Sequence, residues 1–368
     1  MIYRIALNFQ DNTTRFIDCR AGETVLAAAN RSKINLPMDC LNGFCGTCKC
    51  QCEHGNYDLG NSYLDDALSS TEAAKGGVLT CQMIPSSDCL IRVPVSSSAC
   101  MTAPIERQCI ISEIRLLAET TISLKLKMND PQPLEFLPGQ YVNIRLPGTN
   151  ERRAFSFSSG PGEIEVSFLI RNLPGGMMSQ WLTSKALPGM SMSIEGPKGA
   201  FFLHPVQRPV LMLAGGTGIA PFLSMLQTLQ GRETKHSIHL IYGVAKESEM
   251  VAVACLEALA KRIPTFTWSV TVSDPETAWP YKGYVTEHIS DENLNAGDVD
   301  IYLCGPPPMV EAVRVFLDGG GIQPRNFYYE KFISSEGAAD AGKAIDTSMN
   351  TSMIHRALEF VRRLFSRH

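Results

Sequence analysis

Apolar and polar side chains alternate from the first residues onward, with Ile5, Leu7 and Phe9 on one side of the chain and Arg4, Ala6 and Asn8 on the other. That two-residue period predicts a half-buried strand rather than a signal peptide. The period returns later, where Val142, Ile144 and Leu146 share one face and Ile164, Val166, Phe168 and Ile170 another. Short alternating strands of this kind predict an antiparallel barrel between about residue 100 and His204. Beyond His204 the pattern changes to apolar runs, Val210 to Ala214, Ile238 to Tyr242, Phe266 to Val272 and Val299 to Cys304, with helical segments between them. Such runs predict parallel strands buried on both faces. Near the C-terminus Met353, Ile354, Ala357, Leu358, Val361, Leu364 and Phe365 recur at helical spacing among Arg356, Arg362, Arg363 and Arg367, which predicts a short basic amphipathic helix.

At 368 residues the chain exceeds one ordinary core. The expected division is residues 1–95, 104–205 and 206–333 plus a tail, 334–368. Pro94 to Pro104, with three serines, reads as the first linker. A net charge of −4 and an isoelectric point near 6.0 argue against a nucleic-acid partner, since phosphate binding needs a clustered basic surface. The uncharged stretch Pro209 to Gln227 has membrane-span length, but its glycines and Pro221 resolve it as strand, tight turn and helix, so no integral span is expected. The strand pattern of the first residues predicts neither a hydrophobic anchor nor a leader. Eight of twelve cysteines precede residue 90, and without a secretory signal they point to a reducing cytoplasm and to metal binding rather than disulfides.

Four residues separate Cys40 from Cys45, two separate Cys45 from Cys48, and 32 separate Cys48 from Cys81. This is the spacing of plant-type 2Fe-2S ferredoxins. Three thiolates from one tight loop surround one side of a cluster, and a distant strand supplies the fourth. Gly43 and Gly46 let the backbone turn and bring amide N–H groups to the sulfurs. Zinc is the rival, since Cys45-x-x-Cys48 alone suits either metal, but a structural zinc site uses two paired knuckles and Cys81 has no near partner. Cys50 and Cys52 read as small buried residues, as do Cys19, Cys89, Cys100, Cys109 and Cys255.

Four further segments carry chemistry. Arg153, Phe155 and Ser156 offer a cation, an aromatic ring and a hydroxyl on one strand. Arg171, Gly175, Gly176, Met177 and Ser179 belong to a glycine turn that opens a helix, where backbone N–H groups favour phosphate oxygens. Gly215, Gly216, Thr217 and Gly218 follow a strand and precede a helix with Pro221 in its first turn, an arrangement suited to a pyrophosphate. The loop after the next strand holds Lys246, Glu247 and Glu249. Its carboxylates would repel a 2′-phosphate and bond a free ribose, favouring NADH, while Lys246 leaves NADPH open.

Together the first two segments resemble the FAD site of the ferredoxin-NADP reductase superfamily, with its Arg-x-Tyr-Ser and Gly-Gly-x-x-Ser signatures. The resemblance implies that Arg153 contacts the pyrophosphate, Phe155 stacks on the isoalloxazine and Ser156 approaches flavin N5. Phe155 stands where tyrosine is usual. Gly196-Pro197-Lys198-Gly199 resembles the turn that ends the flavin barrel, and Gly-Gly-Thr-Gly-x-x-Pro is typical of the nucleotide domain. Cys304-Gly305-Pro306-Pro307-Pro308-Met309 is equally typical, which gives Cys304 a positioning role at the nicotinamide. Glu330-Lys331-Phe332 resembles the aromatic-bearing terminus of related reductases and makes Phe332 a shield beside the flavin.

Residues 1–333 are similar in module order to the reductases of two-component aromatic-ring dioxygenases of the benzoate and anthranilate type. That implies a multidomain fold: an α+β ferredoxin (β-grasp) domain, an antiparallel β-barrel flavin domain and an α/β parallel-sheet NAD domain. It implies electron flow from NADH to FAD to the 2Fe-2S cluster and on to a Rieske-type terminal oxygenase as protein partner. A hydride carries an electron pair and an iron-sulfur centre changes by one, so the flavin stands between them. Reductases of di-iron phenol or hydrocarbon monooxygenases share the module order and are the alternative. A redox sensor that keeps the fold without turnover is a third reading.

Overall fold

The computed structural model describes residues 1–331, except Asp39, Asn61, Asp66 and 101–104. Phe332 and the basic helix expected after residue 352 lie outside the described residues. The described chain forms two compact units, one built mainly from residues 1–107 and the other mainly from residues 108–331.

The first unit runs β1 (Ile2–Phe9), β2 (Thr14–Arg20), α1 (Val25–Arg31), β3 (Lys49–His54), β4 (Tyr57–Asp58), α2 (Ser70–Ala74), β5 (Gly77–Leu79), β6 (Ile84–Pro85) and β7 (Cys89–Val93). Its main sheet has the order β2-β1-β7-β3-β5, with β1 and β7 parallel and the other printed neighbours antiparallel. Ile5, Leu7 and Phe9 are buried as the alternation predicts. Thr24 caps α1 by accepting the Ala27 N–H at 3.2 Å, and the helix buries Val25, Leu26, Ala28 and Ala29. Each such aliphatic side chain removed from water contributes about 1.5–3 kcal/mol for the larger ones. The expected linker after Val93 begins differently. Ser97–Cys100 forms a 3-10 turn, Ser97 bonds Asp11 through its N–H at 2.9 Å and its hydroxyl at 2.7 Å, and Cys100 is buried. A buried cysteine and two bonds to one carboxylate hold this stretch against the unit, where serine and proline content alone suggested a free connection.

Next along the chain come β8 (Ile105–Ala118), β9 (Thr121–Met128), β10 (Tyr141–Arg145), β11 (Arg152–Ser156), β12 (Glu165–Arg171), α3 (Met177–Ser184) and β13 (Ser191–Lys198). The sheet order is β11-β10-β13-β8-β9-β12, with β9 antiparallel to both β8 and β12. An antiparallel bridge from Phe157, just past β11, to Phe168 in β12 joins the two edge strands and closes the barrel. Phe157 is fully buried, stacked 3.8 Å from Phe136 and 5.4 Å from Phe168. Val166, Phe168 and Ile170 share the barrel core, but Ile164 is exposed. It precedes the strand and contributes only its carbonyl, to the Met128 N–H. The Gly196-Pro197-Lys198 segment is strand rather than turn, and the chain turns at Gly199 with φ +93°.

The remainder is β14 (Val210–Gly215), α4 (Ala220–Gln227), β15 (Ile238–Val244), α5 (Val253–Arg262), β16 (Phe266–Val272), α6 (Asp291–Leu294), β17 (Asp300–Gly305), α7 (Pro307–Gly319) and β18 (Asn326–Lys331). All five strands are parallel, in the order β16-β15-β14-β17-β18. Alternate residues of β14 enter opposite cores: Met212 and Ala214 pack with α4 and α5, and Leu211 and Leu213 pack with α7. Burial on both faces explains why these strands appear in the sequence as unbroken apolar runs. Strand order reverses between β14 and β17, and a ligand of such a sheet binds beyond the carboxyl ends at that reversal.

Candidate functional site

The iron-sulfur loop is gathered by backbone geometry. Gly43 and Gly46 adopt φ +78° and +74°. A Cβ on Gly43 would stand 2.8 Å from the Tyr63 Cβ, so no side chain fits there. The turn aims the N–H groups of Phe44 and Cys45 at the Cys40 sulfur, each at 3.3 Å. The Cys45 side chain also hydrogen-bonds Cys40 and, with these amides, pulls that thiol down to about 5 despite partial burial. Cys48 comes within 3.2 Å of Cys81, whose thiol falls to about 7 through that bond, while Cys48 is pushed up. The thiols therefore stand as two pairs, Cys40 with Cys45 and Cys48 with Cys81. Two pairs suit a centre with two irons, each taking two thiolates. Among the described residues no three acidic, histidine or cysteine groups converge as a single ion would require. Thr80 and Gln82 brace the loop by donating to the Cys48 and Leu41 carbonyls at 3.3 and 3.2 Å, a contribution that cysteine spacing did not reveal.

In the flavin segment, Phe155 and Arg153 are half-buried on β11. Arg153 donates to the Glu151 carboxylate and the Arg152 carbonyl, both at 2.8 Å. Gly175 turns at φ +78°, and Gly176 precedes α3 without any side-chain cap, which leaves helix-start N–H groups for an anion. The Ser179 hydroxyl, expected in the phosphate set, instead accepts from the Leu173 N–H at 2.9 Å and donates to the Arg171 carbonyl at 3.3 Å. It shapes the loop. Met177 is exposed at the helix start.

The nucleotide loop follows β14 as one 3-10 turn, Gly216–Ile219, again without a side-chain cap. A Cβ on Gly218 would lie 2.3 Å from the Cys304 carbonyl oxygen, so glycine is what allows the loop to pass the end of β17. One Arg171 guanidinium nitrogen lies 3.9 Å from the Cβ position of Gly216. The arginine grouped with the flavin loop thus stands beside Gly215, Gly216, Thr217 and Gly218 and their uncapped amides.

At the carboxyl ends of the sheet Ser156, Cys304 and Glu330 meet. Ser156 donates to Glu330 at 3.1 Å, and the buried Cys304 thiol donates to the same carboxylate oxygen at 3.9 Å. Burial, then the Glu330 charge and hydrogen bond, push the Cys304 thiol well above its ordinary range. It stays protonated and uncharged. Glu330 joins barrel strand β11 to β17 and β18, a contact that its place in the motif Glu330-Lys331-Phe332 does not reveal. Glu247, expected near the ribose, accepts from the Thr277 hydroxyl and from the Ala278 N–H at 3.1 Å. Glu249 accepts from the Ala245 N–H at 3.3 Å. Both carboxylates are held in the loops after β15 and β16.

The residues fit a 2Fe-2S cluster, FAD and a pyridine dinucleotide, and the family models agree. A 2Fe-2S iron-sulfur cluster binding domain matches residues 8–86, an oxidoreductase FAD-binding domain 108–203 and an oxidoreductase NAD-binding domain 212–315. The chain is 54% identical over 335 residues to the toluate 1,2-dioxygenase electron transfer component of Pseudomonas putida, spanning 91% of this chain and all of that one. The chain belongs to the electron-transfer components of aromatic-ring dioxygenases. The 2-halobenzoate 1,2-dioxygenase component of Burkholderia cepacia is 46% identical over 92% of this dioxygenase component and 100% of its own length. Among solved structures, an Amycolatopsis cytochrome P450 reductase matches with a TM-score of 0.67 and 30% identity, over 89% of this chain and 98% of that one. The dioxygenase component is therefore an iron-sulfur flavoprotein oxidoreductase with a 2Fe-2S cluster, FAD and NADH as cofactors. These identities favour the ring-dioxygenase reading over the di-iron monooxygenase one. No described helix is long and apolar enough to cross a membrane.

Proposed function

We propose that this dioxygenase component works in the cytoplasm and delivers electrons to a Rieske-type terminal oxygenase that acts on a benzoate-like aromatic acid. Residues 1–95 serve as the ferredoxin domain, 104–205 as the flavin domain and 206–333 as the nucleotide domain. The observation that carries the partner reading is the 54% identity to the toluate 1,2-dioxygenase electron transfer component, and the meeting of Ser156, Cys304 and Glu330 near an uncapped nucleotide loop supports the hydride step. When bound, the cofactors supply hydride acceptance at the flavin and one-electron transfer at the cluster.

The chain's own contribution is placement. Arg153 and the start of α3 would hold the flavin pyrophosphate, and Phe155 would stack on the ring. Gly215 to Gly218 would receive the dinucleotide pyrophosphate, assisted by Arg171. Ser156 would orient the reacting edge of the flavin, Cys304 and Gly305 would offer nicotinamide a close, uncharged floor, and Phe332 would serve as the shield beside the flavin. Glu247 and Glu249 disfavour a 2′-phosphate by charge, since hydrogen bonds already occupy both carboxylates. Cys40, Cys45, Cys48 and Cys81 hold the cluster. No general acid or base is needed beyond this alignment.

The test is reconstitution. The purified component with NADH should drive turnover of a benzoate-type Rieske oxygenase and should fail to support a di-iron phenol hydroxylase. The reverse outcome overturns the partner assignment, and a preference for NADPH overturns the role given to Glu247 and Glu249.

A further inference from the structure

We propose that Gln227 is a positioning residue for hydride transfer, tying the segment after the flavin strand to the helix after the nucleotide loop. The inference rests on the hydride-transfer reading given above. Gln227 is the last residue of α4. Its Oε1 accepts the Gly160 N–H at 2.7 Å, and its Nε2 donates to the Ser158 carbonyl at 3.1 Å. One planar amide therefore uses both ends on the main chain of a single three-residue segment. That segment begins two residues after Ser156.

The same segment is also fastened to the barrel. The Ser158 N–H donates to the Ser167 carbonyl at 2.8 Å, the Ser167 N–H donates to the Ser159 hydroxyl at 3.1 Å, and the Ser158 and Ser167 hydroxyls are 3.0 Å apart. Ser158, Ser159 and Gly160 are all buried. A continuous bonded path thus runs from the nucleotide loop through α4 and Gln227 to the flavin strand. The Ser156 bond to Glu330 is a second tie, from the end of β11 itself to strand β18 of the sheet on which α4 packs. A strand held at one point can pivot, whereas two ties fix both its distance and its angle to the nicotinamide position.

Gln227 touches none of the reacting groups, so its effect is on alignment. An apolar replacement leaves a buried N–H and a buried carbonyl without partners, and such groups are costly enough to move the segment until they find others. Hydride transfer needs reacting atoms in near-attack contact, and a displacement of about 1 Å costs on the order of 100-fold in rate.

The experiment mixes oxidised full-length holoprotein with NADH anaerobically and follows flavin bleaching at rising NADH concentration. Gln227→Leu should lower the limiting rate about 10-fold or more, with half-saturating NADH within about 2-fold of the unaltered protein. Gln227→Met keeps the side-chain length but neither hydrogen bond and should match the leucine loss within about 2-fold; it also carries the test if the leucine variant does not fold. Flavin and iron content measured beforehand separate misalignment from cofactor loss. A limiting rate within about 2-fold of the unaltered protein, or a loss confined to half-saturation, overturns the proposal. So does a methionine variant as fast as the unaltered protein. An unaltered protein whose flavin NADH does not bleach would instead overturn the reading of the site on which the proposal rests.

Discussion

Cys40, Cys45 and Cys48 share one loop, whereas Ser156 and Glu330 are 174 positions apart and meet across two different sheets. Three of the four cluster cysteines are placed by local backbone, with Cys81 brought to Cys48 from 33 positions on: glycines at positive φ turn the chain, and two amides point at Cys40 from the same loop. The cluster of Ser156, Cys304 and Glu330 is assembled by packing, because Ser156 comes from a closed barrel and Cys304 and Glu330 from the ends of parallel strands. A local site is fixed by chemistry close in sequence and resists changes elsewhere. A site made by packing depends on every element that sets the distance between its parts.

Cysteine replacement should break this comparison most severely. Cys81→Ser removes one member of the 3.2 Å pair with Cys48 and should abolish the cluster absorbance and oxygenase-coupled turnover. NADH-driven reduction of a small artificial acceptor that takes electrons from flavin should persist. Loss of both activities together would mean that the two centres are not separable in this way.

Glu330→Ala comes next in size. It deprives Ser156 and Cys304 of their shared partner and should slow flavin reduction by NADH about 10- to 100-fold while leaving the cluster spectrum intact. A rate equal to that of the unaltered protein in rapid mixing would remove Glu330 from the site.

The smallest effect is on stability. His204 is stacked between Phe202 and Tyr328, each ring centre 4.6 Å away, and burial lowers its pKa below the ordinary 6.5. The unfolded chain therefore binds a proton near that value while the folded chain refuses it until a lower pH. Stability should fall as pH drops below 6.5 and stop falling on this account once the folded group also titrates. His204→Phe keeps the stack and removes the titration, so thermal melts at falling pH should show a shallower decline, retaining the part due to His239, which burial lowers in the same direction. An unchanged slope would show that His204 does not contribute.

The sequence by itself determined whatever depends on near neighbours. Cysteine spacing marked the cluster, alternation marked β1 and β12, and apolar runs marked four of the five strands of the parallel sheet, because burial pattern and loop chemistry are written over a few residues. It also placed Gly215 to Gly218 and Cys304 at strand ends. Tertiary structure alone decided that Glu330 would bind Ser156 and approach Cys304, that Ser179 would shape its loop rather than face a phosphate, and that Arg171 would stand beside Gly216. It decided too that Glu247 would bond the loop after β16 and that Ser97 would anchor the supposed linker. A side chain several ångströms long can satisfy its polar end in many directions. Only the packed arrangement of distant strands selects the partner.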